Sequence, residues 1–177
     1  VRCRCTLNWP GPTARSSTRS RVGKTLVLGY GNTLRADDGA GHVVAERLAA
    51  STPPEAPAVE VLTAYQLTPE LAMDLADAER VLFIDASAEL APGQVRMAAV
   101  DARDVATGPI NHHLTPQRLM ALTEAMFDRT PQAWTLAVGV ADLSVGEGLS
   151  PHVAEAIDEM VRLGRQWLRG ETEVAHA

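Results

Sequence analysis

The chain has 177 residues, 46% of them hydrophobic and 21% charged, with a formal charge of −6, the composition of one ordinary globular domain with its own core. Its longest apolar runs are about six residues, which excludes a membrane-spanning helix. Six of the 16 basic residues fall within the first 24 positions, which hold no acid, so the remainder sets ten basic groups against 22 acids. That balance excludes nucleic acid as a partner and suits a cation or a basic peptide.

Both cysteines, Cys3 and Cys5, lie at the start of the chain. The segment 24–170 therefore has neither a thiol nucleophile nor a core disulfide. Residues 1–23 are rich in Arg, Ser, Thr, Pro and Gly. They lack the apolar region of a secretory signal and the paired arginines of a twin-arginine signal, and read as a flexible extension. Segment 24–170 reads as a single α/β domain, and 171–177 as a frayed tail.

Strand and helix signals alternate from Lys24 onward. "TLVLGY" (25–30) is a short apolar run ending the first strand. A helix is expected from about Asp38, with Ala40, Val43, Val44 and Leu48 on one face. "VEVLTA" (59–64) is the second strand. Thr68-Pro69 marks the next helix start, Thr68 as N-cap and Pro69 at the first helical position, with Leu71 and Leu75 facing the core. "RVLFIDAS" (80–87) is apolar on both faces, as a central parallel strand must be. "GQVRMAAV" (93–100) reads as a strand nearer an edge. Thr115-Pro116 repeats the helix-start signature, and Leu119, Leu122 and Met126 form the expected buried stripe. "WTLAVGV" (134–140) is the last strand. Ser150-Pro151 opens a long helix with Val153, Ile157, Met160, Val161 and Trp167 inward, ending near Gly170. The pattern predicts a three-layer α/β sandwich, a mostly parallel sheet of five or six strands with helices on both faces.

In such sheets ligands bind outside the carboxyl ends of the strands. The residues expected there are Gly29, Tyr30, Gly31, Asn32, Asp37 and Asp38 after strand one, Asp85 at the end of strand three, and His112 and His113 before the third helix. A dinucleotide loop is one reading of the glycines. The third glycine of that fingerprint is Leu34, however, and two carboxylates at a helix start would repel a pyrophosphate. A P-loop and a serine-hydrolase elbow are both absent. Asp85 at the end of an apolar strand must be hydrogen-bonded, paired or holding a cation. His42 stands four residues after Asp38 and reads as a surface residue. Carboxylates and an imidazole at one rim make a mixed oxygen and nitrogen site for a divalent transition metal such as nickel or zinc.

These motifs resemble those of the hydrogenase maturation proteases: "LVLGYGNTLRADDGAG", "VLFIDAS", "NHHLTPQRLMAL" and the closing "GEGLSPHV", in that order across residues 24–170. The resemblance implies a cytoplasmic, aspartyl-type endopeptidase that trims the C-terminal extension of a [NiFe]-hydrogenase large-subunit precursor. It implies Asp38, Asp85 and His113 as ligands to nickel carried by the substrate, with Asp38 and Asp85 as the catalytic carboxylates. Gly31, Asn32 and Asp37 are expected to contact the substrate chain. Two other classes stand beside it. One is a non-catalytic nickel checkpoint or chaperone for the large subunit on the same fold; the other is a nucleotide-binding α/β enzyme.

Overall fold

Alternation of side chains along the strands divides the core in two. In β1 (Thr25–Tyr30), Val27 points to one face of the sheet while Leu26 and Leu28 point to the other. In β3 (Arg80–Ser87), Leu82 and Ile84 join Val27, whereas Val81 and Phe83 join Leu26 and Leu28. This is the period-two geometry of a strand covered on both sides. The computed structural model describes residues 23–52, 59–101 and 114–171. Within them lie β2 (Val59–Ala64), β4 (Val95–Val100), β5 (Gln132–Gly139), α1 (Ala40–Ser51), α2 (Ala72–Asp77), α3 (Pro116–Phe127) and α4 (Pro151–Leu168).

The sheet order is β2-β1-β3-β5-β4, with only the β4–β5 pair antiparallel. Helices α1 and α4 cover the face carrying Val27, Ile84, Leu136 and Val138. Helices α2 and α3 cover the face carrying Leu26, Phe83 and Ala133. The result is the expected three-layer α/β sandwich, with five strands among the described residues. The chain leaves β1 for β2 on one side and returns to β3 on the other. The carboxyl ends of β1 and β3 therefore form the topological switch point, where a crevice opens.

Gly41, in the first turn of α1, fixes how close that helix comes to the crevice. A Cβ there would lie 2.4 Å from the Tyr30 carbonyl oxygen and 2.5 Å from that of Ile84. Only glycine lets α1 seat directly over the ends of β1 and β3. At the opposite pole, Arg80 opens β3 with its guanidinium 4.5 Å from the ring centroid of the buried Trp167. Its Nη2 donates to the Trp167 and Leu168 carbonyls, each at 3.3 Å, and so caps the C-terminal end of α4.

The three Ser/Thr-Pro helix starts diverge. Thr115 caps as expected, its hydroxyl accepting from the Arg118 N–H at 3.3 Å. Thr68 makes no capping bond; its side chain hydrogen-bonds the Glu70 carboxylate instead, and the helix opens as a 3₁₀ turn, Pro69–Leu71, before α2. Ser150 makes no capping bond either, because its hydroxyl is engaged elsewhere. In α3, Leu119, Met120 and Thr123 are buried, but Met126 is 60% exposed. That helix buries its first two turns and leaves its last turn in solvent.

Gly41→Ala tests the seating of α1. Alanine gains about 1 kcal/mol in helix propensity, but the overpacking against two backbone oxygens costs about 3 kcal/mol. The expected result is a net loss of about 2 kcal/mol, read as a lower urea midpoint at unchanged slope.

Candidate active-site cleft

The loop after β1 folds back on itself. Gly31 sits at φ +135°, and a Cβ there would fall 1.9 Å from the Asp38 carbonyl oxygen. Its N–H donates to the Ala64 carbonyl at the end of β2, 3.1 Å away. The Asn32 backbone N–H donates to Asp38 Oδ2 at 2.8 Å, and the Asp38 N–H donates to the Arg35 carbonyl at 3.0 Å. These bonds hold the Asp38 carboxylate at the crevice. β3 delivers Asp85 to the same place, its Oδ1 accepting from the Ala86 N–H at 2.8 Å. The Tyr30 hydroxyl hydrogen-bonds the Asp85 carboxylate.

Asp38 and Asp85 line one cleft of about 480 Å³, with Tyr30, Gly31, Asn32 and Arg35. Across it, the Asn32 side-chain amide donates to the Tyr65 hydroxyl. Two larger cavities, about 640 and 680 Å³, open among the amino ends of the strands around Lys24, Thr25 and Arg80. They lie at the wrong pole for an α/β site, and among the described residues the carboxylates lining them, Asp77 and Glu79, are exposed.

Electrostatics mark the cleft as a place that wants positive charge. Burial pushes the Asp85 carboxyl up to about 6; the negative charge of Asp38 adds to the rise, and hydrogen bonds from Tyr30 and Ala86 oppose it. Burial and the Asp85 charge hold the Tyr30 hydroxyl well above its ordinary range, so it remains a donor. A cation between the two carboxylates would relieve both the desolvation and the repulsion.

Asp37, expected to contact the substrate chain, lies on the other side of the turn from Asp38. Its side chain is wholly buried and does not line the cleft. Oδ2 accepts from the Ala141 and Asp142 N–H groups, both at 2.8 Å, and from the Ser150 hydroxyl at 2.9 Å. Oδ1 accepts from the Ser150 N–H at 2.7 Å. Burial alone would raise this carboxyl, but the donors from Ser150, Ala141 and Asp142 outweigh it and hold it below its ordinary value. The physical reason is the 3₁₀ turn Ala36–Gly39, which turns two adjacent carboxylates to different sides. One ties down the loop between β5 and α4, and the other faces the cleft.

Gly31 and Asn32 line the cleft. His42, read as a surface residue, is half-buried: its Nε2 lies 2.9 Å from the Gly31 carbonyl and 3.0 Å from that of Ala64. Nε2–H donates to both, fastening the ends of β1 and β2 together. His112 and His113 lie outside the described residues, while Leu114, the next residue, lines the cleft. Among the described residues no group of three or more His, Cys, Asp or Glu side chains forms a metal site, so the described donors are the two carboxylates. Arg35 and Ser150 were missed from sequence, and Tyr30 was placed at the rim without its role as a donor to Asp85. The small and polar run "GEGLSP" was the available signal for Ser150.

A family model described as hydrogenase maturation protease matches residues 42–167. The chain belongs to the hydrogenase maturation protease family and is a peptidase. The matched span contains Asp85 and begins four residues after Asp38. Among solved structures, the hydrogenase maturating endopeptidase HybD from E. coli is 24% identical, with a TM-score of 0.69 over 83% of this chain and 93% of that one. The [NiFe] hydrogenase maturation protease HycI from Thermococcus kodakarensis KOD1 is 20% identical, with a TM-score of 0.67 over 82% and 92% of the two chains. At these identities the likeness shows the shared fold. No curated protein matches the sequence. Family membership displaces the nucleotide-binding and non-catalytic readings.

Two outcomes test the site. Asp85 holds its proton more tightly folded than unfolded, so its contribution favours folding at low pH and is lost as pH rises from about 4 to about 6. In chelator-treated protein, Asp85→Asn is expected to flatten that fall and raise stability at pH 7 by on the order of 1 kcal/mol, read by urea unfolding across pH. Asp37→Ala leaves three backbone N–H groups and the Ser150 hydroxyl without their shared, wholly buried acceptor. It is expected to cost about 3–5 kcal/mol at pH 7, measured the same way. The wild-type contribution of Asp37, whose carboxyl is lowered, is present above about pH 4 and lost as pH falls through its folded value.

Proposed function

We propose that this peptidase removes the C-terminal extension of a [NiFe]-hydrogenase large-subunit precursor in the cytoplasm, and that it reads nickel carried by that precursor through Asp38, Asp85 and His113. The observation that carries the reading is the convergence of Asp38 and Asp85 in one cleft at the switch point. Burial there, with the Asp38 charge adding to it, pushes the Asp85 carboxyl up, an effect that a bound cation would offset. Oxygen donors of this kind suit a divalent cation that arrives with other ligands already attached. Among the described residues, no helix is long and apolar enough to cross a membrane.

In this reading the precursor's C-terminal segment lies along the cleft, and Asp38 and Asp85 meet the cation it carries. Water attacks the scissile carbonyl carbon, the C–N bond breaks, and the leaving amine takes a proton. A precursor without the cation leaves two carboxylates facing each other unrelieved and binds in that register less well. Cleavage is thereby tied to metal occupancy through differential binding.

The test mixes purified protein with nickel-loaded precursor and follows trimming by intact mass. Asp38→Asn, Asp85→Asn and His113→Ala are each expected to slow trimming by about 10²-fold or more. Precursor cut at full rate without nickel would sink the metal-reading step; precursor left intact under all conditions would sink the assignment.

A further inference from the structure

The loop after β1 and the loop after β5 lie side by side at the rim of the cleft. The Ala36 N–H donates to the Gly146 carbonyl at 2.9 Å, and the Gly146 N–H donates to the Leu34 carbonyl at 3.0 Å. Arg35 and Gly146 form a parallel bridge, and Arg35 Nε donates to the Leu143 carbonyl at 3.3 Å. Beneath them the Asp37 carboxylate takes its donors from Ala141, Asp142 and Ser150. The two loops are thus one laced unit.

That unit holds apolar side chains out in water. Leu34 is 57% exposed, Leu143 36% and Val145 89%. Isolated exposed apolar residues need no explanation. Three on a pair of loops cross-linked by backbone hydrogen bonds are different, because the lacing prevents them from folding inward. Asn32 and Arg35, their neighbours in the same loop, line the cleft, so the ridge begins where the cleft ends. The exposed Met73, Met126 and Phe127 on α2 and α3 have no such link to it.

We propose that the ridge of Leu34, Leu143 and Val145 is a docking surface for the polypeptide substrate, seating an apolar stretch of the precursor next to the segment that enters the cleft. This rests on the processing of a protein precursor proposed above. A substrate that is itself a folded protein must be gripped outside the scissile segment, and a rigid apolar ridge continuous with the cleft offers that grip without ordering cost on the enzyme side.

Leu34→Asp and Val145→Asp replace exposed side chains, and unchanged thermal melting establishes that both variants fold. Binding to immobilised nickel-loaded precursor is measured together with trimming at increasing enzyme concentration. The expected result is binding weakened by about tenfold or more, with the trimming rate at saturation within about twofold of wild type. Val145→Ile is expected to bind as wild type. Wild-type binding and half-saturation in both aspartate variants would overturn the ridge and leave the processing assignment standing. A wild-type protein that binds precursor without cutting it, and loses that binding in the aspartate variants, would overturn the assignment and leave the ridge standing. A wild-type protein that does not bind precursor would overturn both.

Discussion

The rim of this molecule hangs on one carboxylate. Asp37 has no exposed surface, yet it stays ionised because three backbone N–H groups and a hydroxyl converge on its two oxygens. Those donors come from residues 141, 142 and 150, more than a hundred positions away in the chain. Through them the loop following β5 is anchored to the loop following β1, and the start of α4 is anchored with it. Removing a neutral hydrogen bond from such a place costs about 1 kcal/mol, whereas removing the ionised acceptor leaves several donors at once without their shared partner. That asymmetry explains why the neighbour, Asp38, is free to face the cleft: the anchoring of the second loop is done by the residue before it.

A second constraint sits beside the first. Gly41 lets α1 rest on the backbone oxygens of Tyr30 and Ile84, and this contact brings the turn bearing Asp38 over the end of the strand bearing Asp85. The two carboxylates then share a half-enclosed space, which is electrostatically unfavourable in the absence of a cation. The sheet beneath tolerates the cost. Val27, Leu82, Ile84 and Val138 are fully buried between α1 and α4, and each such side chain contributes about 1.5–3 kcal/mol. The cleft is held open by a core that does not depend on it.

Much of this was readable in advance, and the unread part has a common cause. β1, β2 and β3 fall where the apolar runs put them, since a buried parallel strand shows itself locally as a short apolar segment. β4 begins two residues later than expected, at Val95, leaving Gly93 and Gln94 to the turn before it, and β5 begins two residues earlier, at Gln132, because pairing with Arg80 and Val81 carries it beyond its apolar run. Asp38 and Asp85 were placed at one rim by topology alone, and the cleft contains both. What escaped were roles fixed by long-range hydrogen bonds. Nothing local to Asp37 distinguishes it from Asp38; the distinction is made by Ala141, Asp142 and Ser150. His42 looked like a surface residue because its partners are carbonyls of two other segments. Met126 looked buried because its spacing was right, but the helix outruns its packing partner.

The strand order also bears on how the molecule behaves in a crowded solution. Its two edge strands, β2 and β4, are six residues each, and each carries a charged residue, Glu60 in one and Arg96 in the other. Glu60 is further held by Lys24 at 2.5 Å, while Arg96 stands exposed. An open sheet edge is a template for pairing with another chain, and short edges bearing charges are poor templates. The sides of this sheet therefore resist edge-to-edge aggregation, which leaves the carboxyl-end rim as the face where an extended chain can be accommodated.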